Sequence, residues 1–142
     1  MNYVLIIVIL ILDQLSKILA LRYLAPVGSI PIIKNVFHLT YVENRGAAFG
    51  ILQNQKLFFV IFALLVLGFI WFYAYNNRLN KVMVYGLGLV VGGVVGNLID
   101  RVRLGFVVDY LHIMNFPVFN IADSAVTIGI VLIGIFILRH DG

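Results

Sequence analysis

Four apolar segments of roughly 20 residues follow one another along this chain, and each is long enough to span a bilayer core ~30 Å thick. They occupy residues 3–24, 57–75, 82–99 and 121–138. No other feature limits the fold as strongly. In lipid every backbone N–H and C=O must find a partner inside the protein, so a spanning segment is a helix or part of a closed barrel. Unbroken apolar runs, rather than strict alternation, select helices. Composition agrees: 63% of residues are hydrophobic and 11% charged, against ~45–50% and ~25% in water-soluble domains. The expected fold is an all-α polytopic membrane protein, a four-helix bundle forming one membrane-embedded domain over residues 1–142. The first segment lacks a basic leader and runs into Asp13 and Lys17 rather than a small-residue cleavage site, so it reads as a permanent span.

The turn at residues 76–81 is short and polar, making the second and third spans antiparallel neighbours. An even number of spans puts both termini on one side and the longer connections, residues 25–56 and 100–120, on the other. Residues 36–43 are β-branched and aromatic, with Phe37, Leu39 and Tyr41 on one face of a strand; residues 105–110 form a second. Open sheet edges are not tolerated in lipid, so this small sheet is expected at the membrane surface. Gly88, Gly92 and Gly96, with Gly93 beside them, form a small-residue ridge on the third span, facing Ala122, Ala125 and Gly129 on the fourth. Arg78, Lys81 and Arg139 lie on the termini side, and Arg22, Lys34, Arg45, Lys56, Arg101 and Arg103 on the loop side. The count and the density of charge near span ends point in opposite directions, so charge bias does not set the orientation.

Cysteine is absent, which excludes disulfides, thiolate metal sites and a cysteine nucleophile. The ten Lys and Arg are scattered singly or in pairs, a pattern of membrane flanks and lipid headgroups rather than of nucleic-acid binding. The six acids are more informative. Asp13 lies near mid-bilayer with Lys17 one helical turn on, so the two can pair and tie the first span to its neighbours. The last third places Asn97, Asp100, Arg101, Asp109, Asn120 and Asp123 at one end of two close-packed helices. Singly, Asn120 reads as a helix cap and Asp123 as a first-turn acid; three aspartates converging beside an apolar slab read as a site. Two close carboxylates share one proton, so one activates water while the other protonates a carbonyl oxygen and then a leaving nitrogen. That is peptide hydrolysis without a covalent intermediate. No serine, zinc or phosphate-loop motif is present. A metal on Asp100, Asp109 and Asp123 would lack any imidazole, because His38, His112 and His140 are dispersed and read as interfacial or surface residues. Two other readings are a proton-coupled transporter using Asp13 and a non-enzymatic assembly factor using the glycine ridge.

Five blocks carry a resemblance. Asp13-Gln14-Leu15-Ser16-Lys17, Asn44-Arg45-Gly46-Ala47-Ala48-Phe49-Gly50, Gly96-Asn97-Leu98-Ile99-Asp100-Arg101, Val107-Val108-Asp109 and Phe119-Asn120-Ile121-Ala122-Asp123-Ser124 resemble, in order, the motifs of the bacterial lipoprotein signal peptidases. The resemblance spans essentially the whole chain. It implies Asp109 and Asp123 as the catalytic dyad, and Asn44, Asn97, Arg101 and Asn120 as lining the substrate site. Asp13, Lys17 and Asp100 would be structural polar groups. It implies an aspartyl endopeptidase without metal or cofactor, which removes the signal peptide of diacylglyceryl-modified prolipoproteins just before the lipidated cysteine. It further implies a place in the cytoplasmic membrane, the site near the outer face, both termini cytoplasmic, and inhibition by cyclic peptides such as globomycin. Phe49, Ile51 and Leu52 could cover the acyl chains.

Overall fold

The computed structural model describes residues 1–140. Helix α1 (Tyr3–Leu19) ends in a π-helical turn over Ala20–Leu24 and is followed by strands β1 (Ser29–Ile33) and β2 (Phe37–Asn44). Next come a short 3₁₀ turn (Ala48–Gly50), α2 (Lys56–Asn76), α3 (Lys81–Leu104), β3 (Val107–Ile113) and α4 (Ile121–His140). Among the described residues, four helical segments are long and apolar enough to span a membrane.

Local chemistry explains the helix ends. Asn2 and Asn80 cap α1 and α3, their side chains accepting hydrogen bonds from Leu5 N and Met83 N at 3.1 and 2.9 Å. Helix α3 stops at Gly105, whose φ of 83° lets the chain turn away while its N–H closes on the Arg101 carbonyl. Because α3 runs to Leu104, beyond the residue 99 expected from hydropathy, Asn97, Asp100 and Arg101 are all held on a rigid helix.

Helix α3 is the hub, packing against α4, α1 and α2. Its glycines divide their work differently from the single ridge expected in the sequence. A Cβ on Gly88 or Gly92 would meet Leu5 or Ile9 of α1, whereas one on Gly93 would meet Ala122 and Val126 of α4. Gly96 serves both seams. Large apolar side chains elsewhere, such as Leu57, Phe69 and Leu138, face outward, as a lipid solvent permits.

The sheet has three antiparallel strands in the order β1-β2-β3. Hydropathy missed β1, a short Ser-Ile-Pro-Ile-Ile edge strand exposed along its whole length, where Pro31 is tolerated because an edge strand has unpaired positions. A bulge between Leu39 and Val42 shifts the β2–β3 register, bringing Val42 opposite Asp109 and Asn44 opposite Val107. Ala20 and Leu24 of the π-turn, Val108 and Tyr110 form a buried cluster under the sheet.

Candidate active site

Below the site lies a buried ionic lattice centred on Lys17, which is 2% exposed. Its Nζ reaches Asp13 Oδ2 at 2.9 Å, Asp100 Oδ2 at 3.1 Å and Asn97 Oδ1 at 2.9 Å, which uses all three ammonium hydrogens. Each carboxylate also holds backbone. Asp13 Oδ1 accepts from Ala122 N at 2.9 Å, so α1 supplies a cap for the first turn of α4. Asp100 Oδ2 accepts from Val108 N at 3.0 Å and fixes the start of β3. Gln14 ties the two acids together, its Nε2 donating to Asp13 Oδ2, Asp100 Oδ1 and the Gly96 carbonyl at 3.1–3.2 Å. Glycine is required at 96 because a Cβ there would lie 2.5 Å from Asp13 Oδ2.

On this base stand Asp109 and Asp123. Asn120 and Asp123 form a reciprocal cap at the start of α4: Asp123 N donates to Asn120 Oδ1 at 2.8 Å, and Asn120 N donates to Asp123 Oδ2 at 3.2 Å. The Asn120 side-chain amide also donates to Asp109 Oδ1 at 2.8 Å, so one fully buried residue reaches both carboxylates, Asp109 through its side chain and Asp123 through its backbone N–H. Asn97 donates through Nδ2 to Asp123 Oδ1 at 2.8 Å. Its amide cannot flip without losing Lys17, since Oδ1 accepts from that cation. Asn44, held in a tight turn by Gly46 N on its Oδ1, donates to Asp109 Oδ2 at 3.1 Å.

Both carboxylates line one cavity of about 450 Å³, together with Asn44, Asn97 and Arg101. Phe59, Phe62 and Val126 supply part of its apolar wall. The Arg101 guanidinium lies 4.7 Å from the Phe59 ring centroid and donates to the Gly46 carbonyl at 3.5 Å. Burial pushes the Asp109 carboxyl up to about 7, helped by the negative charge of Asp123 and opposed by the bonds from Asn44 and Asn120 and the charge of Lys17. A buried carboxyl whose hold on its proton is strengthened beside a second carboxyl is the arrangement that general acid–base hydrolysis needs. Among the described residues no group of three or more His, Cys, Asp or Glu is placed to hold a metal ion.

The family model described as signal peptidase (SPase) II matches residues 5–139. The chain belongs to the signal peptidase II family. Lipoprotein signal peptidases of Clostridioides difficile and Halothermothrix orenii are 55% and 45% identical to it, each alignment covering 99% of this chain and 97% of the relative. A solved bacterial membrane enzyme superposes with a TM-score of 0.89 at 34% identity, covering 99% of this chain and 88% of that one.

Membership of the signal peptidase II family makes the chain a multi-pass membrane peptidase of the aspartic class. The transporter reading gains no support: Asp13 is 0% exposed and bonded on both oxygens. Asn44, Asn97, Arg101, Asp109 and Asp123 converge on the cavity, while Asn120 sits behind the acids. Asp13, Lys17 and Asp100 lie in the lattice beneath. Sequence reasoning assigned Gln14 no role, and nothing in its helical spacing distinguishes it. It also missed the hydrogen bond between Ser16 and Tyr110, which fastens β3 to α1.

Proposed function

We propose that Asp109 and Asp123 are the catalytic dyad with which this peptidase hydrolyses diacylglyceryl-modified prolipoproteins on the N-terminal side of the lipidated cysteine. The observation that carries the assignment is the convergence of the two acids on one cavity, with a single buried residue, Asn120, bonded to Asp109 through its side chain and to Asp123 through its backbone N–H. Asp123 is the anion. It lies in the first turn of α4, where the helix dipole favours negative charge, and accepts from Asn97 and the Asn120 N–H. Asp109 is the acid.

In the first step Asp123 takes a proton from water as the water oxygen attacks the scissile carbonyl carbon, and Asp109 gives its proton to the carbonyl oxygen. In the second, Asp123 passes its proton to the leaving nitrogen, the C–N bond breaks, and Asp109 recovers a proton as the acid product forms. Asn97 and Asn120 hold the acids in place, while Asn44 and Arg101 at the cavity meet the substrate. No metal or other cofactor enters these steps.

A lipidated substrate arrives sideways from the bilayer, and its acyl chains lie against Phe49, Ile51 and Leu52, all exposed on the loop after β2. Globomycin-type cyclic peptides would occupy the same cavity. The test is mass spectrometry of a diacylglyceryl-modified lipobox peptide incubated with purified protein. The expected product begins at the lipidated cysteine; no cleavage, or equal cleavage of the unlipidated peptide, would overturn the substrate assignment.

The site lies at the outer face of the bacterial cytoplasmic membrane with both termini cytoplasmic, the side on which the lipidated cysteine becomes the new N-terminus. Because the chain has no cysteine, single cysteines give unambiguous labels. An impermeant maleimide on intact cells is expected to label a cysteine at Asn35 and spare one at Asn77. The opposite pattern would invert the topology.

A further inference from the structure

We infer that His38 and His112 form a surface site for one divalent transition-metal ion of the zinc, copper or nickel type, separate from the two catalytic carboxylates. The residues are 74 apart in sequence, but β2 and β3 bring them directly opposite each other, in register and on one face of the sheet. Their ring centroids are 6.1 Å apart and the rings are tilted by 44° rather than stacked. With metal–nitrogen bonds of ~2.0–2.1 Å, two imidazoles sharing one ion have centroids ~5–6 Å apart. Rotation of the two side chains can bring both rings into bonding range, and imidazole is a preferred ligand of these ions.

A supporting row of polar groups orients one ring. Ser29 Oγ and Thr40 Oγ1 are hydrogen-bonded at 3.0 Å, and Thr40 Oγ1 contacts His112 Nδ1 at 3.5 Å, leaving Nε2 for the metal. Ligating histidines ordinarily have such a partner on the other ring nitrogen. The row crosses all three strands of a sheet that is otherwise mostly apolar. Both histidines are half-buried, so an ion can enter and water can complete its coordination. The bound ion clips β2 to β3 on the far side of the bulge from Asn44 and Asp109, tightening the pair of strands that present those groups.

The experiment uses the full chain in detergent, carrying an affinity tag without histidine and stripped of metal with chelator. Cu²⁺ is titrated and followed by electron paramagnetic resonance, with Zn²⁺ as competitor. The expected result is one nitrogen-coordinated Cu²⁺ per chain, displaced by Zn²⁺, with affinity at least tenfold weaker in His38→Gln and in His112→Gln. Zn²⁺ should also raise the melting temperature of wild type and not of either variant, while all three melt alike without metal. Absence of nitrogen coordination would overturn the proposal. So would binding that survives both substitutions, which would place the ion on other donors such as His140.

Discussion

Replacing Lys17 by methionine keeps most of the length of the side chain and removes its charged end. In the wild type one buried cation faces two buried carboxylates and the Asn97 carbonyl oxygen. In the variant Asp13 and Asp100 keep their backbone partners, Ala122 N and Val108 N, but lose their only counter-ion in the lattice. Removing one partner of a buried ion pair costs ~3–5 kcal/mol, because the remaining charge is stranded. For a chain of this size that corresponds to a fall in melting temperature of about 10 °C or more. Adding Asp13→Asn removes one of the two stranded charges and should restore part of the loss. The assay is thermal unfolding in detergent followed by far-UV circular dichroism, on Lys17→Met, Asp13→Asn and the double variant. The Asn97 amide also loses its anchor, so surviving Lys17→Met protein should turn over more slowly with little change in KM. A Lys17→Met protein that melts within about 2 °C of wild type would refute the lattice as the element joining α1, α3 and α4.

Gly96→Ala forces a methyl group to within 2.5 Å of Asp13 Oδ2; parting the helices should cost about 1–3 kcal/mol, and a variant as stable as wild type by the same melts would contradict the close approach. Asp109 gives a pH dependence with a definite sign. Its carboxyl is raised from 3.8 to about 7 in the fold, so between those values the native state binds more protons than the unfolded chain, and stability falls as pH rises. The whole span amounts to at most about 4 kcal/mol, lost by pH 7–8. Asp109→Asn removes the titration, so melting curves should show the variant gaining on wild type from pH 5 to pH 8; parallel curves would contradict the raised carboxyl.

The membrane fold was legible because lipid makes hydropathy nearly sufficient: residues 3–24 and 121–138 coincide closely with helical segments. The extension of α3 to Leu104 was not legible, because Asn97, Asp100 and Arg101 are polar and end the hydropathic run while helical hydrogen bonding continues. Nor was β1, whose pairing with β2 is a long-range choice that a five-residue strand containing Pro31 does not announce. The acids of the site stood out because charge is rare in this chain, and spacing alone placed Lys17 on the same face as Asp13. What spacing could not show is the third dimension of the lattice: that Asp13 caps α4, that Gly96 exists for that approach, and that Asn120 joins both acids. The opposition of His38 and His112 was hidden for the same reason, since strand pairing sets it.

The most direct test of the central claim is the pH dependence of cleavage of a diacylglyceryl-modified lipobox peptide by wild type, Asp109→Asn and Asp123→Asn in detergent. If the acids act as one unit sharing a proton, wild type gives a bell-shaped profile whose two apparent pKa values belong to the pair. Each variant, shown by circular dichroism to be folded, should then lose at least ~10³-fold in kcat, because neither acid works without the other. Folded variants that cleave at near wild-type rates would contradict the dyad, and a variant that keeps the wild-type pH profile would contradict the shared proton.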